Sequence, residues 1–185
     1  MLRSDRQGRI LAAILLSDQV KTLSEIAADA GSDLPSVQRE VKRLEAGGIV
    51  TTERRGNLRL VRAIENEVTH ALRRLIAVTY GPIPALRRVV EAYASIREVL
   101  VFGSYARRYQ GEPGRVPNDI DVLVVTDDYD AYDQFMEQVE QLGRDMGVII
   151  NTHRVKTTEW DQSPTPRGFL TTVRNGPTVV IKGDV

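Results

Sequence analysis

The chain has 185 residues, 42% hydrophobic and 27% charged, which suits one large or two small globular domains. It contains no Cys, which excludes disulfides, thiolate metal ligands and a catalytic thiol. Its 25 Lys and Arg match its 25 Asp and Glu, but the balance is uneven: residues 1–110 carry 18 basic and 12 acidic side chains, residues 111–185 carry 7 and 13. Of the basic residues 21 are Arg, the forked donor suited to phosphates and guanine edges. The longest apolar run, 10–16, is seven residues, against the roughly 20 needed to span a bilayer. It leads into Ser17-Asp18-Gln19 rather than a small-residue cleavage site. The expectation is a cytoplasmic protein with no signal peptide and no membrane association.

Ile10, Leu11, Ile14 and Leu15 recur at helical spacing and predict a first helix over about 5–16. Thr22-Leu23-Ser24-Glu25 reads as a capping box. The helix it starts buries Leu23, Ile26 and Ala27 and stops at Gly31. Asp33 or Ser32 caps a third helix, which tolerates Pro35 in its first turn and buries Val37, Val41 and Leu44 before Gly47-Gly48. The β-prone runs 49–52 and 58–61 around Gly56-Asn57 predict a hairpin. On the third helix Ser36, Gln38, Arg39, Lys42 and Arg43 lie off the apolar stripe and are expected to face outward, with Arg54 and Arg55 at the hairpin tip.

This order, from Gly31-Ser32-Asp33 through Gln38-Arg39-Glu40 to Gly47-Gly48-Ile49-Val50, resembles the winged helix-turn-helix of ArsR/MarR-like transcription factors over about residues 6–62. The resemblance implies binding of double-stranded DNA by a homodimer. The third helix would read the major groove, Arg on guanine and Gln on adenine, and Arg54 and Arg55 would meet phosphates or the minor groove. A solvated basic face on a protein-interaction module is the alternative.

Val68, Leu72, Leu75, Ile76 and Thr79 predict an amphipathic helix over 65–80, read as a helical connector over 63–84 that serves as linker, dimer contact or both. Gly81-Pro82-Ile83-Pro84 is expected to break the chain before a helix over 85–94. His70 stands alone there and gives no metal signature.

In the second domain, 85–185, the run 98–102 reads as a buried strand that turns at Gly103-Ser104 into a helical segment with Arg107 and Arg108. Asp119-Ile120-Asp121 opens the hydrophobic run 119–125. Residues i and i+2 of a strand share a face, so the two carboxylates project together and need a cationic offset, Mg²⁺ being the natural one. The Gly-Ser turn offers a triphosphate close backbone approach, N–H groups and a hydroxyl. Asp127, Asp128, Asp130 and Asp133 read as a solvated loop and helix start, followed by a helix over 131–142. Beyond it come a Ser-, Thr- and Pro-rich loop around Trp160, which is expected to pack, and a β-prone 177–181.

Strand, Gly103-Ser104, helix, loop, then Asp119-x-Asp121 on a strand is similar to the signature of the polymerase-beta-like nucleotidyltransferases, closest to their minimal bacterial and archaeal forms, over about 85–155. The resemblance implies an α/β (α+β) fold whose C-terminal mixed sheet has flanking helices. It implies a two-metal Mg²⁺ site on Asp119 and Asp121, with nucleoside triphosphate held at Gly103 and Ser104; Arg107 or Arg108, a turn further along, either reaches phosphate or is a surface charge. Such domains present a third carboxylate from a later strand. Here that position falls on Asn151, with Asp145 and His153 as alternatives. The two domains together resemble prokaryotic transcriptional regulators. An active nucleotidyltransferase modifying a protein, RNA or small molecule, including an antitoxin-type partner of another protein, is the alternative.

Overall fold

Residues 5–112, 117–162 and 168–183 are described by the computed structural model. The Ser-, Thr- and Pro-rich stretch 163–167 lies outside them. Helix α1 (Asp5–Leu15) buries Ile10, Leu11, Ile14 and Leu15. After the two-residue strand β1 (Lys21–Thr22), Thr22 and Glu25 form a reciprocal capping box on α2 (Leu23–Asp29). Gly31, at φ +54, ends that helix as Ser32 N–H returns to the Ala27 carbonyl at 2.9 Å. Asp33 caps α3 (Leu34–Ala46) by accepting from the Ser36 N–H at 2.9 Å. β2 (Val50–Arg55) and β3 (Leu58–Ala63) are antiparallel, closing at Arg55↔Leu58 around Gly56, whose φ of +61 the tight turn requires. β1 pairs with the other edge of β3.

The segment read as a connector is α4 (Glu67–Tyr80), and it packs into this N-terminal unit. Ile76 is fully buried in the same cluster as Leu15, Val37 and Val61. Arg73 donates from Nε to the Leu15 carbonyl at 2.9 Å and from both terminal nitrogens to Glu65. The chain accordingly divides between Gly81 and Pro82, not at residue 62. Of the expected stripe Ile76 is buried and Leu72 half-buried, whereas Val68, Leu75 and Thr79 are exposed and Thr69 points inward in their place. The expected break falls at Gly81, which is extended, but the prolines lie inside the next helix, α5 (Pro82–Val90), which starts at 82 rather than 85, since first-turn N–H groups have no intrahelical partner to lose.

The C-terminal unit is a four-stranded mixed sheet, ordered β6-β5-β4-β7, with helices on both faces. Its strands are β4 (Glu98–Phe102), β5 (Asp119–Val125), β6 (Ile149–Val155) and β7 (Val179–Lys182). Between β4 and β5 lies α6 (Gly103–Tyr109), and α7 (Tyr129–Met146) is the crossover between the parallel pair β5 and β6. Val99, Val101, Ile120, Val122 and Val124 face α5, α6 and α7. Leu100, Leu123, Val125 and Val155 face α8 (Thr157–Asp161) and α9 (Phe169–Asn175). Trp160 packs on this second face, its indole N–H donating to Glu98 at 2.9 Å. Among the described residues no helix is long and apolar enough to cross a membrane.

Arg73, with a contribution from His70, holds Glu65 down at about 2, below its ordinary 4.5. A carboxylate whose pKa is depressed by folding stabilises the fold above its unfolded pKa and loses that contribution as pH falls through the folded one. The stability difference between the wild type and Glu65→Gln should therefore be full above about pH 5 and shrink towards zero near pH 2, as read by denaturant titration.

Candidate functional site

The turn from β4 into α6 rests on the side chain of Asp121. Phe102 is in register with Asp121 across the β4–β5 pair, so the next residue, Gly103, crosses directly over the carboxylate. Gly103 adopts φ +74, and a Cβ there would lie 3.0 Å from Asp121 Oδ2. Glycine is required twice at this position, for the left-handed backbone and for the close approach. Ser104 follows in the first turn of α6, half-buried.

Alternation along β5 buries Ile120 and Val122 on one face and leaves Asp119 exposed and Asp121 half-buried on the other. On the parallel neighbour, Asn151 is in register with Asp121 and donates from Nδ2 to Oδ1 at 3.3 Å. His153, two residues on, places Nε2 4.0 Å from the same oxygen. Gly103, Asp121, Asn151 and His153 thus meet at one end of the sheet, with Asp119 two residues away on the same face.

Residues 83–175, half of the chain, match the family model described as the nucleotidyltransferase domain. The chain belongs to this family. No curated protein and no solved structure matches it. The general chemistry of that family is nucleotidyl transfer.

Within the nucleotidyltransferase domain, a divalent cation would find two carboxylates and an amide, with no third acid in register. Among the described residues no group of three or more His, Cys, Asp or Glu gathers as a metal cage. The donor set suits an ion such as Mg²⁺, which binds one or two carboxylates and takes its other ligands from water and phosphate. The alternative third acid, Asp145, is on α7, exposed and bonded to Gln141 at 2.7 Å, in the layer on the opposite face of the sheet. Asp127 accepts from the Thr157 N–H and hydroxyl, and Asp128 caps α7, so these carboxylates, at the far end of β5, serve local structure. Both have lowered pKa values, chiefly from the Thr157 hydroxyl at Asp127 and the Ala131 N–H at Asp128. Arg107 and Arg108 sit one turn along α6 from Gly103, and both have Glu112 as a neighbour, at 3.9 and 3.7 Å. His70 bonds Glu65 at 2.7 Å.

The N-terminal unit carries a separate basic face. Gln38, Arg39, Lys42 and Arg43 are exposed on α3, as are Arg54 and Arg55 on β2. A groove between α3 and the hairpin is lined by Gln38, Arg39, Lys42, Arg54, Leu58 and Arg59 among others. Ser36 corrects the outward-facing expectation: it is 8% exposed, its hydroxyl donating to Asp33 and accepting from Arg6 and Arg39. A small polar residue beside the apolar stripe faces inward when a partner from another element, here Arg6 of α1, satisfies it. Ser36 therefore positions Arg39, whose Nη2 it holds at 2.9 Å, rather than meeting a partner itself. No sequence signal marked Arg6, because its role depends on the α1–α3 packing.

Gly103→Ala is expected to cost about 1–2 kcal/mol of stability for the left-handed backbone, plus the displacement of Asp121. Gly147 has the same backbone sign, φ +66, with open space around it. Gly147→Ala should show the backbone cost alone, so urea titration should rank Gly103→Ala as the more damaging change.

Proposed function

We propose that the C-terminal unit binds a Mg²⁺–nucleoside triphosphate, and that the N-terminal unit is a winged helix-turn-helix that carries this domain to duplex DNA as a cytoplasmic transcriptional regulator. The observation that carries the reading is the meeting of Gly103 with the Asp121 carboxylate in a nucleotidyltransferase domain. Backbone and phosphate would approach closely at Gly103, the Ser104 hydroxyl would donate to a phosphate oxygen, and Arg107 would reach the chain of phosphates from the next turn. Asp119 and Asp121 would hold the Mg²⁺, which neutralises triphosphate charge when bound. The Asn151 donor to Asp121 supports binding without turnover, since an amide takes no proton at neutral pH.

For the N-terminal unit, support comes from the groove that Gln38, Arg39 and Lys42 share with Arg54. α3 would enter the major groove with Arg39 on guanine and Gln38 on adenine, and Lys42, Arg43, Arg54 and Arg55 would meet phosphates. A homodimer would present two such helices to two half-sites.

Catalysed transfer is the second reading, and the family favours it. An acceptor hydroxyl on a protein, RNA or small molecule would attack the α-phosphorus, its O–P bond forming as the bond to pyrophosphate breaks. An antitoxin-type modification of a partner protein falls under this reading.

Incubation of the chain with labelled ATP, GTP, CTP or UTP, Mg²⁺ or Mn²⁺, and cell lysate separates the two. The binding reading expects Mg²⁺-dependent nucleotide retention that drops at least about 10-fold in Asp121→Asn, with no label transferred. Label transfer that Asp119→Ala or Asp121→Ala abolishes would establish the enzyme. Asn151→Asp, which restores a proton acceptor in register with Asp121, is expected to raise transfer by roughly 100-fold or more.

In DNA titrations Arg39→Ala should weaken a selected site by about 1–3 kcal/mol more than random DNA, and Arg54→Ala should weaken both alike with a shallower salt dependence. Equal weakening of both DNAs by Arg39→Ala would remove base reading from this residue.

A further inference from the structure

The face of the sheet that carries Asp121 also carries three aromatic rings that the proposed function leaves unused. Phe102 precedes Gly103 and is in register with Asp121. His153 follows Asn151 by two residues and so projects to the same side, its Nε2 4.0 Å from Asp121 Oδ1. Phe169 opens α9. The rings form a closed triangle, with centroids 5.7 Å apart for Phe102–His153 and 5.6 Å for both Phe102–Phe169 and His153–Phe169.

Packing accounts for Phe102, half-buried against the core of this face, but not for the other two rings. α9 is anchored by Leu170 and Val173, both buried in the core beneath it, while Phe169 is 48% exposed. The His153 side chain is 46% exposed. The buried part of the same face, Leu100, Leu123, Val125 and Val155, is aliphatic. Ile149, in register with Asp119, and Phe169 are the exposed large apolar side chains described on this face, and both lie at the end where the carboxylates stand, Phe169 as part of the aromatic triangle. A nucleotide held by its phosphates at Gly103 and Asp121 has a flat heterocycle to place close by, and aromatic side chains bind any nucleobase through its π-face.

We propose that Phe169 and His153, backed by Phe102, form the surface on which the nucleobase stacks, and that the site therefore prefers purine to pyrimidine nucleoside triphosphates. The inference rests on the nucleotide-binding reading above. Stacking scales with ring area and reads no hydrogen-bonding edge, so adenine and guanine would bind alike, ahead of cytosine and uracil.

Calorimetric titration of the full chain in Mg²⁺ with ATP, GTP, CTP, UTP and inorganic tripolyphosphate tests it. The wild type should bind ATP and GTP several-fold tighter than CTP and UTP. Phe169→Ala should weaken ATP by roughly 10-fold or more, leave tripolyphosphate unchanged, and erase the purine preference. Phe169→Leu, which keeps apolar bulk without a π-face, should lose as much, whereas Phe169→Trp should keep or raise the affinity. Phe169→Ala and Phe169→Leu proteins that melt like the wild type and bind ATP equally well would overturn the stacking surface. So would a loss shared equally by tripolyphosphate, which would mark a structural role. A wild type that binds tripolyphosphate but shows no purine preference would overturn the base assignment while leaving the phosphate site standing. A wild type that binds neither tripolyphosphate nor any of the four nucleotides would overturn both.

Discussion

Strand β5 hydrogen-bonds along both edges, antiparallel to β4 and parallel to β6, and this fixes what can surround Asp121. A shift of one residue on either edge would turn the neighbours to the opposite face of the sheet. The register is held by burial: Ile120, Val122 and Val124 fill one core while Leu123 and Val125 fill the other, all fully buried. Only at the start of the strand does helix cover give way, leaving Asp119 exposed and Asp121 half-buried. The apolar stretch is thus what aims the polar one, because two cores on opposite faces leave the carboxylates no alternative orientation. Gly103 and Asn151 are then delivered to Asp121 from opposite sides, by β4 and by β6.

Much of this was legible in the sequence because it depends on short-range rules. The capping box of Thr22 and Glu25, the Asp33 cap, the Gly56 turn and the alternation of β5 are each decided within a few residues, and each is present. What escaped depends on partners distant in the chain. Ser36 faces inward because Arg6, 30 residues earlier, meets its hydroxyl. α4 has apolar residues on two sides, and the side that is buried is the one on which Ile76 packs into the N-terminal core and Arg73 docks on the end of α1, 58 residues away. β1 is two residues long and exists through pairing with β3. α9 has seven residues, too few for a periodicity to register, so Phe169 gave no sign of standing beside His153.

The charge distribution also changes meaning once the chain is divided where it folds. Cut at residue 110, the two parts carry +6 and −6; cut between Gly81 and Pro82, they carry 13 basic against 10 acidic and 12 against 15. Net charge is thus a weak argument for a polyanionic partner. Several basic residues of the N-terminal unit have internal work: Arg73 on Glu65 and the Leu15 carbonyl, Arg59 on Glu45, Arg6 on Asp33 and Ser36. The side chains that matter to a long-range field are the ones the fold leaves pointing outward together, and the α3–hairpin groove is where Arg39, Lys42 and Arg54 do so.

The amide at Asn151 bears on how the two units would work together. Three carboxylates at this position would repel one another unless cations held them, so the site would be well ordered only when loaded. An amide donating to Asp121 removes that dependence, because the pair is satisfied by the protein's own hydrogen bond. The proposed nucleotide binding would then add ligand contacts without first having to order the acids. It also leaves the proton of any acceptor hydroxyl without a carboxylate in register to receive it, which slows chemistry more than it weakens binding. A domain with that combination would suit the proposed regulatory role, in which occupancy tracks nucleotide concentration and turnover is not needed.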